Sequence, residues 1–343
     1  MKIVVSIEHP AWAHQFHFLI KQLIESGHLV KVFTVNKDHD AELLDTFNIN
    51  YEIVGKSTGK NIIEKIYLLF IISFRIFIKC IKYKPDIFIG RASPMMAINS
   101  FLFGKPHIIF EDTEHSYISL FFCKLFSRKI FTNSSFRKNL GRKQIRCNTY
   151  KELFYLHPNW FTPDINVLTS LGLQNQKFTI IRFVAWQADH DYGHKGLTYE
   201  MKKQAIKTFE KYGKVFITSE LELPEEFQKY KLQIPKEKIH HLLYYATLLY
   251  GESSTMATEA AVLGTHSIFC DFIGRGYTDE LENKYNLVYN FSLDNKSIIR
   301  SIEKAEKLLK NHTLWEEGKQ KQLKLLGDKC DGTDFMFQQI LNN

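Results

Sequence analysis

The segment Gly251-Glu252-Ser253-Ser254-Thr255 has the residue types of an anion-binding turn. An apolar, strand-like run ends at Gly251, and an Ala-rich helical pattern follows the hydroxyl residues as far as Leu263. A helix N-terminus offers unpaired backbone N–H groups and a partial positive charge, so the segment predicts a diphosphate site. Glu259, about one turn into the helix, could accept hydrogen bonds from both ribose hydroxyls. Ser and Thr also cap ordinary helices, and that interpretation stays open.

Two segments of the first half place acid–base residues directly after predicted strands. Glu8-His9-Pro10-Ala11-Trp12-Ala13-His14 follows the first strand, and His14 could take a proton from an acceptor hydroxyl or could simply cap its own helix. Glu111-Asp112-Thr113-Glu114-His115 follows a second apolar strand. Asp112 or Glu114 is an alternative base or a residue that orients His14, unless the segment is a solvated turn.

Arg182 and Trp186 close the first strand of the second half. The guanidinium of Arg182 suits phosphate, and the indole of Trp186 could stack on a base or a sugar. Asp189-His190-Asp191 has the spacing of a metal-binding DxD motif, and His190 with His194 could bind zinc on a helix. Tyr192-Gly193 indicates a loop instead, and we expect neither a metal nor a cofactor.

Strand-like runs alternate with helical stretches along the chain, which predicts an α/β protein with mostly parallel sheets. Helical stretches are predicted at Gln15–Ser26, Ile62–Lys82 and across most of Lys296–Asn343. Two prolines near Tyr155–Asp164 mark a junction, so we predict domains at 1–162 and 163–343, with a C-terminal helix that can pack back on the first. The predicted strands are Lys2–Ile7, His28–Thr34, Asp86–Gly90, His107–Phe110, Lys129–Thr132, Phe178–Phe183, Lys214–Thr218, Leu248–Tyr250 and Ser267–Cys270.

Composition describes an ordinary globular protein of 343 residues with an uneven charge. Residues 1–160 contain 22 Lys and Arg against 13 Asp and Glu, so the basic excess lies in the first half and favours an anionic partner, unless it is only a solvated face. Five scattered cysteines favour reduced thiols in a cytoplasmic protein. We expect the apolar stretch Ile66–Ile78 to be a mostly buried helix, with a membrane-interface helix as the alternative.

The 248–272 region resembles the nucleotide-binding loop and helix of GT-B glycosyltransferases and of the related non-hydrolysing UDP-N-acetylglucosamine 2-epimerases. A closer resemblance, over nearly the whole chain, is to the family known as domain of unknown function 354. The motifs that carry it occur in order: His9-Pro10-Ala11 with His14, Glu111 to His115, Tyr150-Lys151-Glu152, Tyr155-Leu156-His157-Pro158, Arg182, Ala188 to Asp191, His240-His241, residues 251–264, and Gly276-Tyr277 with Asp279-Glu280-Leu281-Glu282.

The resemblance implies a GT-B-like fold, with two doubly wound Rossmann-like domains facing across a cleft. It implies that the second domain binds the nucleotide-sugar through Arg182, Trp186, His190, Asp191, His241, Glu252, Ser253, Ser254, Thr255 and Glu259. In such enzymes the loop at His240-His241 often contacts the nucleotide base, although burial of a hydrogen-bonded histidine is equally compatible. MurG-like transferases have a histidine in the loop where this chain has His14, but the glycine-rich form of that loop is absent here.

The sequence therefore predicts a cytoplasmic glycosyltransferase that uses a UDP-linked sugar in surface polysaccharide or lipid-linked glycan synthesis. Its partners would be the donor and a glycan or lipid-linked acceptor, with a possible peripheral position on the inner face of the membrane and no nucleic acid. A UDP-sugar 2-epimerase is the first alternative, in which Asp112, Glu114 and Asp191 matter more than His14. A nucleotide-sugar-binding protein without turnover is the second.

Overall fold

The computed structural model describes residues 1–35, 40–56, 62–184 and 196–343, apart from the side chains of Ile62, Ile63 and Lys65. Within these residues the strands are β1 (Lys2–Ile7), β2 (Leu29–Thr34), β3 (Tyr51–Ile53), β4 (Ile87–Gly90), β5 (His107–Glu111), β6 (Lys129–Asn133), β7 (Gln144–Cys147), β8 (Phe178–Phe183), β9 (Lys214–Ser219), β10 (Leu248–Gly251), β11 (Ser267–Cys270) and β12 (Val288–Phe291).

The α-helices are α1 (Pro10–Glu25), α2 (Asp40–Thr46), α3 (Ile62–Tyr83), α4 (Pro94–Leu102), α5 (Tyr117–Phe126), α6 (Asn166–Ser170), α7 (Tyr199–Phe209), α8 (Ile239–Tyr245), α9 (Ser254–Val262), α10 (Gly276–Asn283), α11 (Asn295–Leu309), α12 (Leu314–Asp328) and α13 (Gly332–Leu341). Short 3-10 turns occupy Lys151–Phe154, Glu225–Tyr230 and Lys236–Lys238. The predicted alternation of strands and helices is confirmed.

The chain forms two compact units, one of residues 1–160 with 330–343 and one of residues 161–329. The domain bounds 1–162 and 163–343 stay a prediction. The first unit has a seven-stranded sheet in the order β3-β2-β1-β4-β5-β6-β7, and the second has a five-stranded sheet in the order β12-β11-β10-β8-β9. All neighbouring strands of both sheets are parallel.

Each sheet has a point at which the strand order reverses, between β1 and β4 in the first and between β8 and β10 in the second. Loops that leave two such strands diverge to opposite faces of the sheet, and the crevice between them is where open α/β sheets bind ligands. The residues that follow these four strands are Glu8, Arg91, Val184 and Glu252. Both crevices therefore begin at segments that contain or adjoin predicted site residues.

Three strands were not predicted: β3, β7 and β12. Each is only three or four residues long and lies at the edge of its sheet, where one side has no strand to pair with. Edge positions tolerate polar side chains such as Glu52, Gln144 and Asn290, so these segments lack the continuous apolar run that marks a buried parallel strand.

The C-terminal helix α13 completes the first unit. Its Thr333 hydroxyl donates to the carbonyl of Phe154 at 2.6 Å, and the Trp160 indole donates to Asp331 at 2.7 Å. Gly332 approaches the Phe154 ring so closely that any Cβ atom there would overlap it. Met336 and Ile340 are buried. The first unit therefore takes its core from both ends of the chain.

The expectation that Ile66–Ile78 is mostly buried is wrong. One face of α3 packs Ile72, Ile76 and Cys80 into the core of the first unit, but the opposite face leaves Tyr67, Phe70 and Phe74 exposed by 63%, 65% and 63%. Helical periodicity places these two sets of residues on opposite faces of α3. Because both sets are apolar, the sequence pattern did not show that only one face is buried. Among the described residues, none of the helices has the length and hydropathy needed to span a membrane.

Candidate nucleotide site

The crevice of the second unit lies beyond Arg182 of β8 and Gly251 of β10, which are paired in the parallel register. The backbone N–H of Glu252 donates to the carbonyl of Arg182 at 3.1 Å, so the pairing continues past the end of β10. A Cβ atom on Gly251 would overlap that same carbonyl oxygen. Gly251 is thus required by close approach of two backbones at the point where the predicted anion-binding turn begins.

The turn leads into the N-terminus of α9. Ser253 is the N-cap, and its Oγ accepts a hydrogen bond from the backbone N–H of Met256 at 3.3 Å. The hydroxyl of Ser254 accepts from the Tyr277 hydroxyl, at 3.1 Å, near the start of α10. Ser253 therefore does cap its helix, as the alternative interpretation proposed. A capped helix still directs its first N–H groups and its dipole outward, so the cap is compatible with an anion at this end.

Glu259 lies inside α9 and is 6% exposed. Its Oε1 is 3.0 Å from Nε2 of His240, which is also 6% exposed and belongs to α8. The imidazole holds the carboxylate in one orientation, because a buried carboxylate without a partner is costly. The carboxylate predicted to bind ribose is consequently a fixed group, and the residue that fixes it is His240.

His241, whose nucleotide-binding role stays a prediction, contacts the first residues of the second unit. Its Nδ1 accepts a hydrogen bond from the backbone N–H of Asp164 at 3.0 Å, and its ring packs on Phe161 at 4.8 Å between centroids. Burial, together with the charge of Lys238, lowers its pKa below the ordinary value for histidine. A neutral imidazole is consistent with its acceptor role towards the Asp164 N–H.

Glu252, another predicted nucleotide ligand, is 5% exposed. Its carboxylate accepts hydrogen bonds from the backbone N–H groups of Val184 at 3.2 Å and Leu197 at 2.6 Å. Charge-assisted bonds of this kind are roughly twice as strong as neutral ones. Glu252 therefore fixes the two chain positions on either side of residues 185–195, which is a positioning role.

Arg182 is paired with Glu220, with 2.5 Å between Nη2 and Oε1. The Arg182 side chain is 21% exposed and Glu220 is 43% exposed, so the pair faces solvent and contributes little to stability. A phosphate could displace Glu220 from the guanidinium. Trp186, His190 and Asp191, predicted to bind the nucleotide-sugar, lie outside the described residues, as does the DxD-like run.

Replacing Gly251 by Ala should destabilise the second unit by about 1–3 kcal/mol, because the new methyl group must push β8 and β10 apart. We also expect weaker nucleotide binding, since the same displacement moves the start of α9. Chemical unfolding and calorimetry with UDP measure the two effects. Gly327→Ala in α12 is the matched control, because a Cβ there meets no atom within 4 Å. Equal stability of the two variants would contradict the close-approach argument.

The crevice of the first unit contains a buried charge cluster that centres on Arg91, the first residue after β4. The guanidinium contacts the carboxylates of Glu111 and Asp112, and all three residues are no more than 3% exposed. Lys151 adds a second cation, 3.1 Å from Asp112 Oδ2 and 3.4 Å from Glu152 Oε1. Two cations thus face three carboxylates in the interior of the first unit.

The structure shows no solvated turn at Glu111–His115. Glu111 accepts backbone N–H groups of Ala92 at 3.1 Å, Asp112 at 3.0 Å and Thr113 at 2.8 Å. Burial alone would raise the pKa of Asp112, but the charges of Arg91 and Lys151 outweigh it and hold that pKa below the ordinary value. Such a carboxylate is a weak base, so these contacts favour a positioning role for Asp112.

Glu114 is 2% exposed, and its Oε1 accepts the backbone N–H of Arg137. That bond ties the turn after β5 to the loop after β6. The roles of Asp112 and Glu114 as bases, or as residues that orient His14, stay predictions.

His14 lies in the second turn of α1, half-buried, with its ring 5.4 Å from Phe47 and 5.5 Å from Tyr155. The cap of α1 is instead His9, whose Nδ1 accepts the backbone N–H of Ala11 at 3.1 Å. His14 is therefore not the capping histidine. It remains the predicted base, on the helix that follows β1.

Sequence reasoning gave no site role to Arg91, Lys151 or Tyr277, although Lys151 and Tyr277 belong to the family motifs. His240 was named together with His241, and its burial and its bond to Glu259 agree with the alternative of a buried, hydrogen-bonded histidine. Arg91 could have been found from the sequence. It comes directly after the apolar run Ile87–Gly90, just as the acidic residues come at the end of β5. Carboxyl ends of adjacent parallel strands meet at one edge, so opposite charges there predict an ion pair. The contacts of Lys151 and Tyr277 had no such signal, because their partners are distant in sequence.

Solved structures resemble this chain along nearly all of its length. UDP-GlcNAc 2-epimerase from Neisseria meningitidis bound to UDP-GlcNAc is 14% identical, with a TM-score of 0.65 and 100% of each chain covered. The S. aureus MnaA–UDP structure is 11% identical, with a TM-score of 0.65 over 92% of this chain and 90% of that one. The spinosyn forosaminyltransferase SpnP is 10% identical, with a TM-score of 0.65 over 99% of each chain.

At these identities the likeness concerns the fold, and the predicted GT-B-like α/β fold is confirmed. Comparison with the curated proteins gives no match. The family model described as "Protein of unknown function (DUF354)" matches residues 1–343, the whole sequence. The motifs from His9 to Glu282 thus indicated the correct relationship, and the chain belongs to the DUF354 family.

Proposed function

We propose that the protein is a glycosyltransferase that takes a sugar from a UDP-linked donor. The observation that carries this proposal is the crevice between β8 and β10, where the N-terminus of α9 and the His240–Glu259 pair occur together. The helix N-terminus offers N–H groups and a partial positive charge to a diphosphate. The fixed carboxylate of Glu259, one to two turns further on, offers acceptors to a diol. A nucleoside diphosphate has both groups at such a separation.

Transfer requires an acceptor hydroxyl to attack the anomeric carbon of the donor sugar. The new carbon–oxygen bond forms while the bond from that carbon to the diphosphate oxygen breaks, and UDP leaves with the electron pair. His14 would take the acceptor proton, and the α9 N-terminus with Arg182 would stabilise the negative charge on the leaving diphosphate. Arg182 must then exchange Glu220 for phosphate. We place the reaction in the cytoplasm, in surface polysaccharide or lipid-linked glycan synthesis.

A UDP-sugar 2-epimerase is the second candidate, favoured by the likeness to two UDP-binding structures, of which the Neisseria meningitidis protein is named as an epimerase. An epimerase needs side chains that donate and accept protons without an acceptor substrate. Of the three carboxylates predicted for that task, Asp112 is bound to Arg91 and Lys151, and Glu114 to a backbone N–H. The third, Asp191, lies outside the described residues. Because Asp112 and Glu114 are already engaged in these ion pairs and hydrogen bonds, we favour transfer over epimerisation.

Incubation with UDP-N-acetylglucosamine separates the candidates. Transfer predicts UDP release that requires an added lipid extract or glycan acceptor, followed by chromatography of both products. Epimerisation predicts a new isomer or UDP release without an acceptor. Tight binding of the donor with neither reaction, across several acceptors, would mean a nucleotide-sugar-binding protein without turnover.

Replacing Glu259 by Gln should weaken UDP binding roughly 10- to 100-fold, which corresponds to the loss of hydrogen bonds to a charged group. Isothermal calorimetry measures the affinity. Glu303→Gln, at an exposed position of α11, is the matched control and should bind UDP normally. His240→Gln should give a smaller loss, because it releases the carboxylate without removing it. Normal UDP affinity in Glu259→Gln would remove this residue from the site.

A further inference from the structure

The face of the first unit formed by α3, α4 and α5 exposes a continuous apolar surface, called here the apolar face. On α3 it consists of Tyr67, Phe70, Phe74, Ile78 and Ile81, which recur every three or four residues and so form one stripe along the helix. On the neighbouring helices it consists of Phe101, Leu102, Tyr117, Ile118, Phe121 and Leu125. Every one of these side chains is at least 50% exposed.

Aromatic contacts join the three helices into one surface. Phe77 of α3 packs on Phe103 at 5.1 Å between ring centroids, and Phe101 of α4 packs on Phe126 of α5 at 4.8 Å. The stripe on α3 and the residues of α4 and α5 therefore belong to adjacent, packed helices. Soluble monomers rarely expose apolar patches beyond a few hundred Å², and larger ones mark an interaction site.

The sequence segments that form the apolar face are mainly basic. Residues 65–90 contain five Lys and Arg and a single acidic residue, Asp86, whereas residues 115–150 contain eight Lys and Arg and no acidic residue. Lys138 lies over the Tyr117 ring, with its Nζ 3.7 Å from the centroid, and Lys143 bonds the last carbonyls of α5 at 2.7 and 2.8 Å. Part of the basic excess found in the sequence thus lies at the rim of the apolar face.

A basic groove continues the apolar stripe at the C-terminal end of α3. It is a cavity of about 520 Å³ whose lining includes Ile78 of the stripe and four lysines, Lys2, Lys31, Lys79 and Lys82. Lys31 and Lys79 share one carboxylate, Glu52, at 2.6 Å each. Four ammonium groups with one shared carboxylate leave a net positive groove, which suits phosphate-bearing headgroups.

We propose that the first unit docks on an anionic lipid bilayer through the apolar face, with lipid phosphates against the lysine rim and groove. An amphipathic surface of this kind buries its apolar side chains about 5–10 Å into the boundary between headgroups and acyl chains. Lysines beside it attract the negative surface potential of acidic lipids. A second copy of this chain is a poorer occupant, because a two-fold contact would bring two positive rims together.

Sedimentation of the full chain with vesicles tests the proposal. We expect pelleting with phosphatidylcholine vesicles that contain phosphatidylglycerol, little pelleting with phosphatidylcholine alone, and weaker binding when salt rises from about 50 to about 500 mM. Phe70→Ser with Phe74→Ser should lower the bound fraction at least about tenfold, because the acyl contact is lost. Lys82→Glu with Lys84→Glu, two exposed positions at the C-terminal end of α3, should abolish the preference for the acidic lipid.

Leu323→Ser with Ile299→Ser is the matched control, since both residues are exposed apolar side chains of the second unit. It should pellet like the unaltered protein. We expect the UDP affinity and the melting temperature of every variant to equal those of the unaltered protein. The melting temperature tests whether the fold is intact, and the UDP affinity tests the nucleotide site independently of membrane binding. The absence of pelleting on acidic vesicles at either salt concentration, or normal pelleting of the Phe70/Phe74 variant, would overturn it. The proposal would also be overturned if the unaltered protein were a dimer and the Phe70/Phe74 variant a monomer.

Discussion

Replacing Arg91 by Met should lower the stability of the first unit by about 3–5 kcal/mol, the range observed when one partner of a buried ion pair is removed. The methionine fills most of the space but leaves Glu111 and Asp112 with only Lys151 as a cation. Urea unfolding followed by circular dichroism measures the loss. Arg142→Met, at an exposed position of the same unit, is the control and should change stability by less than about 1 kcal/mol.

The pH dependence identifies the cause of this loss. In the unaltered protein the pKa of Asp112 lies below its unfolded value, so its ion pairs stabilise the fold above about pH 4 and are lost as the pH falls through the folded pKa. Without Arg91, burial raises that pKa instead, and protonation becomes favourable. The deficit of Arg91→Met should therefore shrink between about pH 7 and about pH 4.5. A deficit that is equal at both pH values would assign the loss to packing.

Removal of His14 should reduce turnover by about 10²- to 10⁴-fold, the usual contribution of a positioned general base. Two variants test this role. His14→Phe removes the base but keeps a ring that can contact Phe47 and Tyr155, whereas His14→Asn removes both the base and the ring. We expect both to bind UDP normally, since the nucleotide would be held by the second unit. The rate of UDP release in the presence of acceptor measures the effect.

His28→Asn is the matched control for His14. His28 precedes β2 and so lies at the amino-terminal edge of the same sheet, opposite to the edge where ligands bind. It should leave turnover unchanged. Full activity of His14→Phe would eliminate the base. Loss of activity in His14→Asn alone, together with a lower melting temperature, would show that the ring serves packing.

The sequence predicted the fold well because its core strands are continuous apolar runs. Lys2–Ile7, Phe178–Phe183 and Ser267–Cys270 have the predicted bounds, since both faces of these strands are covered by other parts of the chain. Edge strands such as β3 escaped prediction because one side of each has no neighbour. Helix α3 was misjudged because composition alone does not distinguish an apolar face that meets the core from one that meets solvent.

The candidate site was predictable where it is local in sequence and unpredictable where it depends on tertiary contacts. The Ser253 cap and the position of Glu259 in α9 follow from a spacing of a few residues. The pairing of Glu259 with His240 joins two helices, and the pairing of Asp112 with Lys151 joins residues 39 positions apart. Periodicity contains no information on such pairs, so the carboxylates were identified without the side chains that hold them in place.

The discontinuous first unit affects the order of events during synthesis. Its α1 and the 3-10 turn at Lys151–Phe154 pack against α13, which the ribosome makes after the whole second unit. Until then the surface around Phe154, which Gly332 and Thr333 cover in the finished protein, stays open. The second unit is continuous in sequence and can close first. Chaperones that bind nascent chains would therefore meet an unfinished first unit beside a completed second one.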